Sequence, residues 1–446
     1  MIMLRKFFTN MSLIVPILMV LALTGCDIFV TEAEYRLPGD RISVLLNSRT
    51  IEASPELADA RILLPAPSPN DEWPQAGGYP NHAMHHMEIG GNLARVWKTD
   101  FGTGTSDDSR FVSEPVIARG IVFAVDTESR VTAINAETGK EIWSKFLAPE
   151  SEEDDGHISG GLAFYRNRLY VTTGFGDVIS LDAASGEEIW REYIRSPMRS
   201  GPSVRSGRVF VLTVDNRILS LNAENGSILW EQEGIGNGVS LLGGASPAVD
   251  GTTIVVPFSS GELVAMDIET GRMLWSDSLT AIRRTNSVAS LAHIRGNPII
   301  DRGRVYAISH AGIMASIDLK TGERIWDSEI GGIGNPWIAG EYIFLLSNDA
   351  EIICLSRATG QVYWVRALPQ YEDPEDKEDL IIWSGPVLAS DRLLITGSHG
   401  EAWAISPYSG DYLGSIELPD GVSVPPVIAG GQVFFMADNA TIVAYK

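Results

Sequence analysis

The sequence predicts an all-β protein, an eight-bladed β-propeller of four-stranded antiparallel blades. Three observations support this prediction. A phrase of the type "AETGKEIW" recurs along the chain, apolar residues alternate with period two inside each repeat, and the first and last repeats are incomplete in complementary ways. Four short strands in a repeat of about 40–50 residues are typical of a propeller blade.

The recurring phrase defines the repeat. It stands at residues 136–143 and returns as "AASGEEIW", "AENGSILW", "IETGRMLW", "LKTGERIW" and "RATGQVYW". Ungapped windows around these phrases align at 114–143, 161–190, 201–230, 246–275, 297–326 and 335–364. A seventh window, 385–414, ends in Gly414 where the others have tryptophan, and an eighth starts at Pro425 and stops at Lys446. A fixed period of this kind predicts copies of one structural unit.

Each window predicts four strands joined by tight turns. Stretches such as "RVFVLTV" place alternate side chains on opposite faces of a strand. A short polar residue such as Asn135 opens the turn after the third strand, and a glycine such as Gly139 closes it with a positive φ. The tryptophan that ends the fourth strand is too large for one sheet to bury, so we expect it to dock on the next blade. These blade-docking tryptophans are Trp97, Trp143, Trp190, Trp230, Trp275, Trp326 and Trp364.

The two ends of the chain indicate how the ring closes. The last window lacks a fourth strand, whereas "NLARVWKTDF" at 92–101 supplies Trp97 with no three strands before it. We therefore expect this N-terminal strand to complete the last blade, which removes exposed sheet edges. The propeller is predicted over 71–446. Seven blades is the alternative, if the window at 385–414 pairs differently.

The first 25 residues have the pattern of a lipoprotein signal peptide. Arg5 and Lys6 precede an apolar run that is too short to span a bilayer. The following Leu23-Thr24-Gly25-Cys26 resembles a lipobox, which predicts cleavage before Cys26 and acylation of that residue; an ordinary secretory signal is the alternative. Residues 26–70 contain several prolines and are predicted to be a flexible tether.

The net charge of the chain disfavours negatively charged partners. The formal charge is −23, and removal of residues 1–25, which hold two basic and no acidic residues, leaves −25. This disfavours nucleic acid and an anionic membrane surface as electrostatic partners. Two acidic clusters, at 149–157 and 371–379, are predicted to be solvated loops, with a divalent ion or a basic partner as alternatives. Cys354 is expected to be an inert buried thiol, since it lies in an apolar strand.

The sequence contains few candidates for catalytic or metal-binding motifs. The chain contains no G-x-S-x-G elbow, P-loop or H-E-x-x-H motif. The stretch "NHAMHHMEIG" holds His82, His85 and His86 with two methionines, a set that suits copper; packing is the favoured interpretation, and no metal site is predicted. The preceding "DEWPQAGGYPN" is expected to lie across the blades, with Trp73 docked.

The blade repeat resembles that of the quinoprotein dehydrogenases, which bind a quinone cofactor and calcium beside a pair of adjacent cysteines. The two cysteines here, Cys26 and Cys354, are far apart in the chain, and no C-x-x-C-H haem site occurs. The resemblance therefore covers the repeat and not the catalytic centre. Neither an enzyme nor a cofactor is predicted.

The combination of lipobox, tether and eight tryptophan-ended blades, without catalytic residues, resembles the outer-membrane protein assembly factor BamB family over residues 1–446. The resemblance implies a non-enzymatic lipoprotein, a monomer within a complex, that binds the POTRA domains of a BamA-like barrel-assembly protein. It implies attachment to the periplasmic face of the outer membrane through the lipid anchor. Asp27 directly follows the lipidated cysteine and favours the inner membrane in enterobacteria, which is the alternative location.

The same resemblance indicates two partner-binding loops. In the family, one loop carries an apolar-Ser-Leu run followed by a basic residue, and "GVSLLGGASP" matches this run but has Leu242 at the basic position. A second family loop carries two carboxylates, where "LAHIRGNP" has His293 and Arg295. The predicted partner-binding residues are Val239, Ser240, Leu241, Leu242, His293 and Arg295. The alternative for the two leucines is packing beneath the loop.

Two other functions remain open at this point. One is a periplasmic propeller that binds or senses a small ligand or a cell-wall component, and the other is a quinone-dependent dehydrogenase. No residue pattern in the chain selects a ligand for the first. The second lacks the cysteine pair described above.

Overall fold

A computed structural model of the protein describes residues 51–57, 60–106, 109–111, 113–149, 160–234, 242–280 and 293–446. Within these residues the structure is almost entirely β, with one short 3-10 helix at Pro55–Leu57. It contains eight four-stranded antiparallel sheets and one two-stranded hairpin. The predicted eight-bladed propeller of four-stranded blades is therefore confirmed.

The first strand, β1 (Arg95–Asp100), belongs to the last blade, and blades 1 to 4 follow it in chain order. Blade 1 holds β2 (Val116–Ala118), β3 (Ile121–Val125), β4 (Arg130–Asn135) and β5 (Glu141–Phe146). Blade 2 holds β6 (Leu162–Tyr165), β7 (Arg168–Thr172), β8 (Asp177–Asp182) and β9 (Glu188–Tyr193). Blade 3 holds β10 (Ser203–Arg205), β11 (Arg208–Leu212), β12 (Arg217–Asn222) and β13 (Ile228–Glu233). Blade 4 holds β14 (Ala248–Asp250), β15 (Thr253–Pro257), β16 (Glu262–Asp267) and β17 (Met273–Ser278).

Blades 5 to 8 repeat the arrangement. Blade 5 holds β18 (Ile299–Asp301), β19 (Arg304–Ile308), β20 (Met314–Asp318) and β21 (Arg324–Ser328). Blade 6 holds β22 (Trp337–Ala339), β23 (Tyr342–Leu346), β24 (Glu351–Ser356) and β25 (Val362–Ala367), and the hairpin of β26 (Tyr371–Asp373) and β27 (Glu378–Leu380) follows it. Blade 7 holds β28 (Trp383–Ala389), β29 (Arg392–Gly397), β30 (Glu401–Ile405) and β31 (Tyr412–Glu417). Blade 8 holds β32 (Val427–Ala429), β33 (Gln432–Ala437) and β34 (Thr441–Tyr445) together with β1. The seven-blade alternative is wrong, because the window at 385–414 forms a complete sheet of its own.

The turn between the third and fourth strands closes on a glycine in the same way in blades 1 to 7. In blade 1, Asn135 Oδ1 accepts hydrogen bonds from the N–H groups of Glu137 (3.1 Å) and Thr138 (2.8 Å). Gly139 then donates its N–H to the Asn135 carbonyl (2.9 Å) and has φ +69°. A left-handed conformation of this kind favours glycine, which explains why the phrase ends its turn on that residue.

The same glycine receives the tryptophan of the preceding blade. A Cβ added at Gly139 would lie 2.7 Å from the ring of Trp97, so the indole lies directly against the turn. The Trp97 Nε1–H donates to the carbonyl of Ala136 (2.9 Å). Seven such joints link consecutive blades, namely Trp97–Gly139, Trp143–Gly186, Trp190–Gly226, Trp230–Gly271, Trp275–Gly322, Trp326–Gly360 and Trp364–Gly410. The apolar core lies between the sheets that these joints hold together.

A β-bulge precedes each of these tryptophans. In blade 1, Ala133 pairs with Trp143 but Ile134 pairs with Glu141, so Ile142 is the extra residue. The bulge lets the tryptophan face the neighbouring blade while Ile142, which is 46% exposed, faces outward. The period-two pattern of the sequence does not reveal this extra residue.

The two ends of the propeller meet in blade 8. Strand β1 pairs antiparallel with β34, and Ala94 and Lys446 exchange backbone hydrogen bonds of 2.9 and 3.0 Å. The position of the third turn of this blade is therefore occupied by Ala94 and Lys446 and not by a glycine hairpin. No glycine turn is available there for a tryptophan of blade 7, which gives a physical reason for Gly414.

A segment that we call the strap, residues 70–89, crosses the first strands of all eight blades. Its Trp73 pairs with Ile117 in blade 1, and Gln75 binds both backbone groups of Val204 in blade 3 (2.8 and 2.9 Å). Contacts with the other blades are Phe164–Pro74, Val249–Pro80, Ile300–Asn81, Trp337–His85, Leu388–Met87 and Gly430–Asn70. The expectation that this stretch lies across the blades with Trp73 docked is confirmed: Trp73 is 1% exposed and stacks on Trp337 with ring centroids 6.1 Å apart.

The tether prediction fails for the last part of residues 26–70. Ser54 donates its N–H to Val362 (2.8 Å), Leu63 donates to the Tyr342 hydroxyl (2.9 Å), and Ser68 pairs with Met87. Apart from the 3-10 helix at Pro55–Leu57, the described part of this segment has no regular helix or strand, but its prolines do not prevent single backbone bonds to the blades. Residues 1–50, including Cys26, lie outside the described part of the chain.

Candidate functional site

The turns of the propeller lie on two faces. Ala136, in the glycine turn of blade 1, donates to Gly120 in the turn after the first strand (2.9 Å), so these turns share a face, which we call the hairpin face. Leu147, just after the fourth strand, donates to Ser129 in the turn after the second strand (3.1 Å). These turns and the inter-blade loops form the loop face. Because the loops vary while the glycine turns do not, the loop face is where a binding site is expected.

A central cavity of about 800 Å³ lies on the loop face. The strap forms its floor through Trp73, Ala76, Gly77 and His82, and the inter-blade loops form its walls. Seven of the eight sequence windows place their first residue on its wall: Glu114, Gly201, Ser246, Asn297, Asn335, Gly385 and Pro425. A cavity of this volume falls within the range of small-molecule sites.

Glu114 is a buried carboxyl group beside the floor of the cavity. Its side chain is 7% exposed, and its Oε1 accepts the N–H of Gly77 (2.5 Å). Burial raises the pKa of Glu114, and the hydrogen bond from Gly77 opposes that effect. Glu114 is not among the site residues predicted from the sequence. The sequence feature that could have identified it is its charge, because the other windows begin with a small residue, an amide or proline.

Two of the predicted partner-binding residues lie together on the cavity wall. Leu242 is 41% exposed and lines the cavity together with Arg295, from the next inter-blade loop. The two loops touch: a Cβ added at Gly243 would lie 3.0 Å from Nε of Arg295. Leu242 therefore does not pack beneath its loop, contrary to the alternative raised from the sequence. Val239, Ser240 and Leu241 lie outside the described residues.

His293 is placed differently from the surface position predicted for it. It is 5% exposed, and its carbonyl accepts the N–H of His310 (3.1 Å). Burial, followed by the charges of Arg295 and His310, lowers the pKa of His293 to about 4. It is therefore neutral at neutral pH and lies under the loop. The sequence could not show this, because "LAHIRGNP" does not indicate which of its side chains faces inward.

The three neighbouring histidines contact different blades. His82 Nδ1 lies 2.7 Å from the carbonyl of Pro298, and burial lowers the pKa of His82 to about 4. His86 Nδ1 lies 2.7 Å from the Pro65 carbonyl, and its Nε2 accepts the N–H of Asp391 (2.9 Å). His85 Nε2 lies 3.6 Å from Asp301. Their rings serve as strap contacts, and across the described residues no three His, Cys, Asp or Glu side chains are gathered as metal ligands.

The second acidic cluster forms the hairpin of β26 and β27, which is almost entirely exposed. Asp373 Oδ1 accepts the N–H groups of Glu375 (2.9 Å) and Asp376 (3.1 Å). The cluster is thus solvated, as predicted, and takes the form of an ordered hairpin. Residues 150–157 of the first cluster lie outside the described part. Cys354 is fully buried in β24, and burial raises its thiol pKa well above the ordinary range.

The part of the chain that the structure describes contains no helix with the length and apolar character needed to cross a bilayer.

Comparisons with known proteins agree on the fold. BamB of Yersinia pestis, an outer membrane protein assembly factor, is 25% identical over 358 residues, which cover 79% of this chain and 88% of that protein. The structure of BamB from Moraxella catarrhalis has a TM-score of 0.67 at 17% identity and covers 80% of this chain and 100% of its own. A quinohemoprotein alcohol dehydrogenase from Comamonas testosteroni has a TM-score of 0.65 at 14% identity, with 84% of this chain and 80% of its own covered. At these identities, the two structures show a common fold only.

The family comparison goes further than the fold. A family model described as outer membrane protein assembly factor BamB matches residues 94–154 and 128–366, which together span more than half of the sequence. The resemblance seen in the tryptophan-ended repeat is thereby confirmed. The chain belongs to the outer membrane protein assembly factor BamB family.

Proposed function

We propose that the protein is a non-enzymatic, lipid-anchored scaffold subunit of the machinery that assembles β-barrel proteins in the outer membrane. Family membership over residues 94–366 is the observation that carries the proposal. Relatives that align with most of the chain bear the name outer membrane protein assembly factor. Acylation of Cys26 would hold the propeller at the periplasmic face of the outer membrane, with retention at the inner membrane through Asp27 as the alternative.

The proposed partner is a BamA-like barrel protein, whose POTRA domains would bind the loop face. Leu242 supports this assignment, since an exposed leucine at a cavity rim has the character of an interface anchor. Arg295 beside it would pair with an acidic group of the partner. Val239, Ser240 and Leu241 would make further contacts in the same interface. His293 would support the loop from below and make no partner contact. We further infer that the pairing of β1 with β34 closes the ring and keeps these loops in fixed relative positions.

The likeness to the dehydrogenase does not favour a second function. It rests on fold at 14% identity, and the adjacent cysteines characteristic of those enzymes do not occur in the sequence. The scaffold proposal therefore includes no cofactor and no catalytic residue.

Affinity purification from native membranes in mild detergent tests the proposal. We expect a POTRA-containing barrel protein to copurify with the wild-type chain and Leu242→Asp to reduce its recovery at least roughly tenfold, as for an anchor residue at an interface. Leu63→Asp is the matched control, because Leu63 is 77% exposed and its backbone binds Tyr342, which follows a turn of the hairpin face.

Two outcomes would contradict parts of this proposal. If no barrel-assembly protein copurifies with the wild-type chain, the function itself is wrong. If Leu242→Asp recovers the partner at the wild-type level while Leu63→Asp loses it, the partner binds the hairpin face. Equal urea unfolding midpoints for both variants and the wild type would show that neither change acts by unfolding the propeller.

A further inference from the structure

Arg295 is a cation on the wall of the central cavity. Among the described residues it makes no ion pair or hydrogen bond, although burial lowers the pKa of its guanidinium. Other partly buried arginines have carboxylate partners, for example Arg217 with Glu231 (2.6 Å) and Arg324 with Asp277 (2.7 Å). A desolvated charge without a partner is costly, so such a group is expected where an anion binds.

The position of Arg295 depends on a glycine. Gly243 has φ +87°, and a Cβ at that residue would lie 3.0 Å from Nε of Arg295 and 3.6 Å from one of its terminal nitrogens. Glycine therefore provides both the left-handed backbone and the space that the guanidinium occupies. The chain holds this cation against the cavity wall from two loops.

Further hydrogen-bonding groups line the same cavity. The buried Nδ1 of His310 has no partner among the described residues. Asn297 accepts the N–H of Ser246 through its Oδ1 (2.7 Å), which leaves its amide nitrogen as a donor beside Gly77. A guanidinium, an imidazole and an amide N–H group are complementary to a carboxylate.

The carboxyl groups of the cavity are already engaged elsewhere. Glu114 accepts from Gly77, Asp420 accepts from the N–H of Gly421 (2.8 Å), and Asp438 accepts from the hydroxyl of Ser423 (2.7 Å). None of them balances Arg295. The remaining wall is largely apolar, with contributions from Phe111, Ile299, Trp337 and Val387.

We propose that the central cavity binds a small organic carboxylate. The anionic group pairs with Arg295, within reach of His310 and Asn297, and an apolar body packs on the wall. The volume of about 800 Å³ accommodates such a molecule. This site goes beyond the scaffold function and requires no protein partner.

A matched pair of probes tests the site. Phenylacetate and phenylacetamide have nearly the same shape but differ in charge, and their binding to the purified full-length chain is measured by saturation-transfer NMR and calorimetry. We expect phenylacetate to bind at least roughly tenfold more tightly than the amide, because only the carboxylate pairs with the guanidinium. Arg295→Gln should remove this preference. Arg302→Gln, at a 60% exposed arginine on the hairpin face, is the control and should keep it.

The inference is overturned if the two probes bind equally, if neither binds, or if Arg295→Gln binds phenylacetate like the wild type. Its failure is distinguishable from failure of the scaffold function. Loss of probe binding with the barrel-assembly partner still copurifying would remove the carboxylate site alone. Specific probe binding in a chain that recovers no such partner would leave the site and remove the scaffold function.

Discussion

Seven joints between neighbouring blades have the same construction, whereas the joint between blades 7 and 8 is built differently. In the seven, an indole lies on a glycine turn and donates to a carbonyl of the next blade, as Trp230 does to Ile268 (3.0 Å). At the eighth, Gly414 replaces the tryptophan. The guanidinium of Arg392 instead donates to the carbonyls of Gly90 (2.7 Å) and Gly91 (3.0 Å), next to the chain ends.

The difference shows that the tryptophan depends on the turn that receives it. At the eighth joint Ala94 and Lys446 stand in place of the glycine turn. An indole at position 414 would therefore have neither a packing surface nor an acceptor carbonyl there. Blade 7 instead has an aromatic cluster of its own, in which Trp403 lies 4.9 Å from Trp383 and 4.8 Å from Tyr412, between ring centroids. The eighth joint thus has polar contacts to backbone carbonyls in place of the docked indole, in addition to an apolar core that blades 7 and 8 share.

Removing the indole from one of the seven repeated joints should lower the free energy of unfolding more than any other change proposed for the joints. Trp230→Ala creates a cavity and leaves the Ile268 carbonyl without its donor, so we expect the free energy of unfolding to fall by about 3–5 kcal/mol. Trp230→Phe keeps most of the buried area and should lose only about 1 kcal/mol, for the missing N–H group. Urea unfolding measures both. A loss below about 1 kcal/mol for the alanine variant would contradict the role given to the joint.

Substitution of the glycine that contacts the indole should cause the next largest loss of unfolding free energy. At Gly271 an added Cβ would lie 2.8 Å from the Trp230 ring, whereas at Gly303 and Gly207 it meets nothing within 4 Å, although all three have a similar positive φ. We expect Gly303→Ala and Gly207→Ala to cost about 1 kcal/mol from backbone strain alone. Gly271→Ala should cost about 1–3 kcal/mol more, from overpacking. Equal losses of unfolding free energy at the three sites would show that the close approach to the indole has no energetic importance.

The eighth joint should respond to loss of its guanidinium. Arg392→Gln removes the charged donors to Gly90 and Gly91, with an expected cost of about 1–2 kcal/mol. The effect should be local, and hydrogen exchange can locate it. The amides of Ala94 and Lys446 should exchange faster, while that of Gly139, at the next joint, should keep its wild-type rate. Uniform acceleration at both joints would indicate that they are not independent.

The smallest expected effect is on the pH dependence of stability, through the carboxylate that opens a glycine turn. Hydrogen bonds from the N–H and hydroxyl of Thr321 hold the pKa of Asp318 below its usual range. A carboxylate with a lowered folded pKa stabilises the protein above its ordinary pKa, near 4, and this contribution is lost as the pH falls through the lowered value. Asp318→Asn should therefore lose less stability than the wild type between neutral and acidic pH. Asn222→Asp should show the opposite change at a turn whose first side chain is neutral in the wild type. Parallel stability–pH curves for all three proteins would refute this.

The candidate site could be predicted only in part. Motif comparison located Leu242 and Arg295 in neighbouring loops, and the structure brings both onto the cavity wall. It also suggested His293 as a contact, which burial contradicts. The polar environment of Glu114, and the lack of an ion pair to Arg295 among the described residues, could not be foreseen from the sequence. Both depend on which side chains from distant windows meet in the cavity.

The amino-acid sequence by itself determined the four-stranded blade and the tryptophan joints, and it predicted eight copies with seven as the alternative. These features follow from local rules, namely period-two strands, a turn that needs glycine at positive φ, and a ring too large for one sheet. Only the tertiary structure decided the floor and the charge of the cavity. Asn70 binds Ile428, 358 positions away, and no local pattern encodes such a contact. The free-energy cost of a charge likewise depends on burial and on the groups around it, which come together only when the blades assemble.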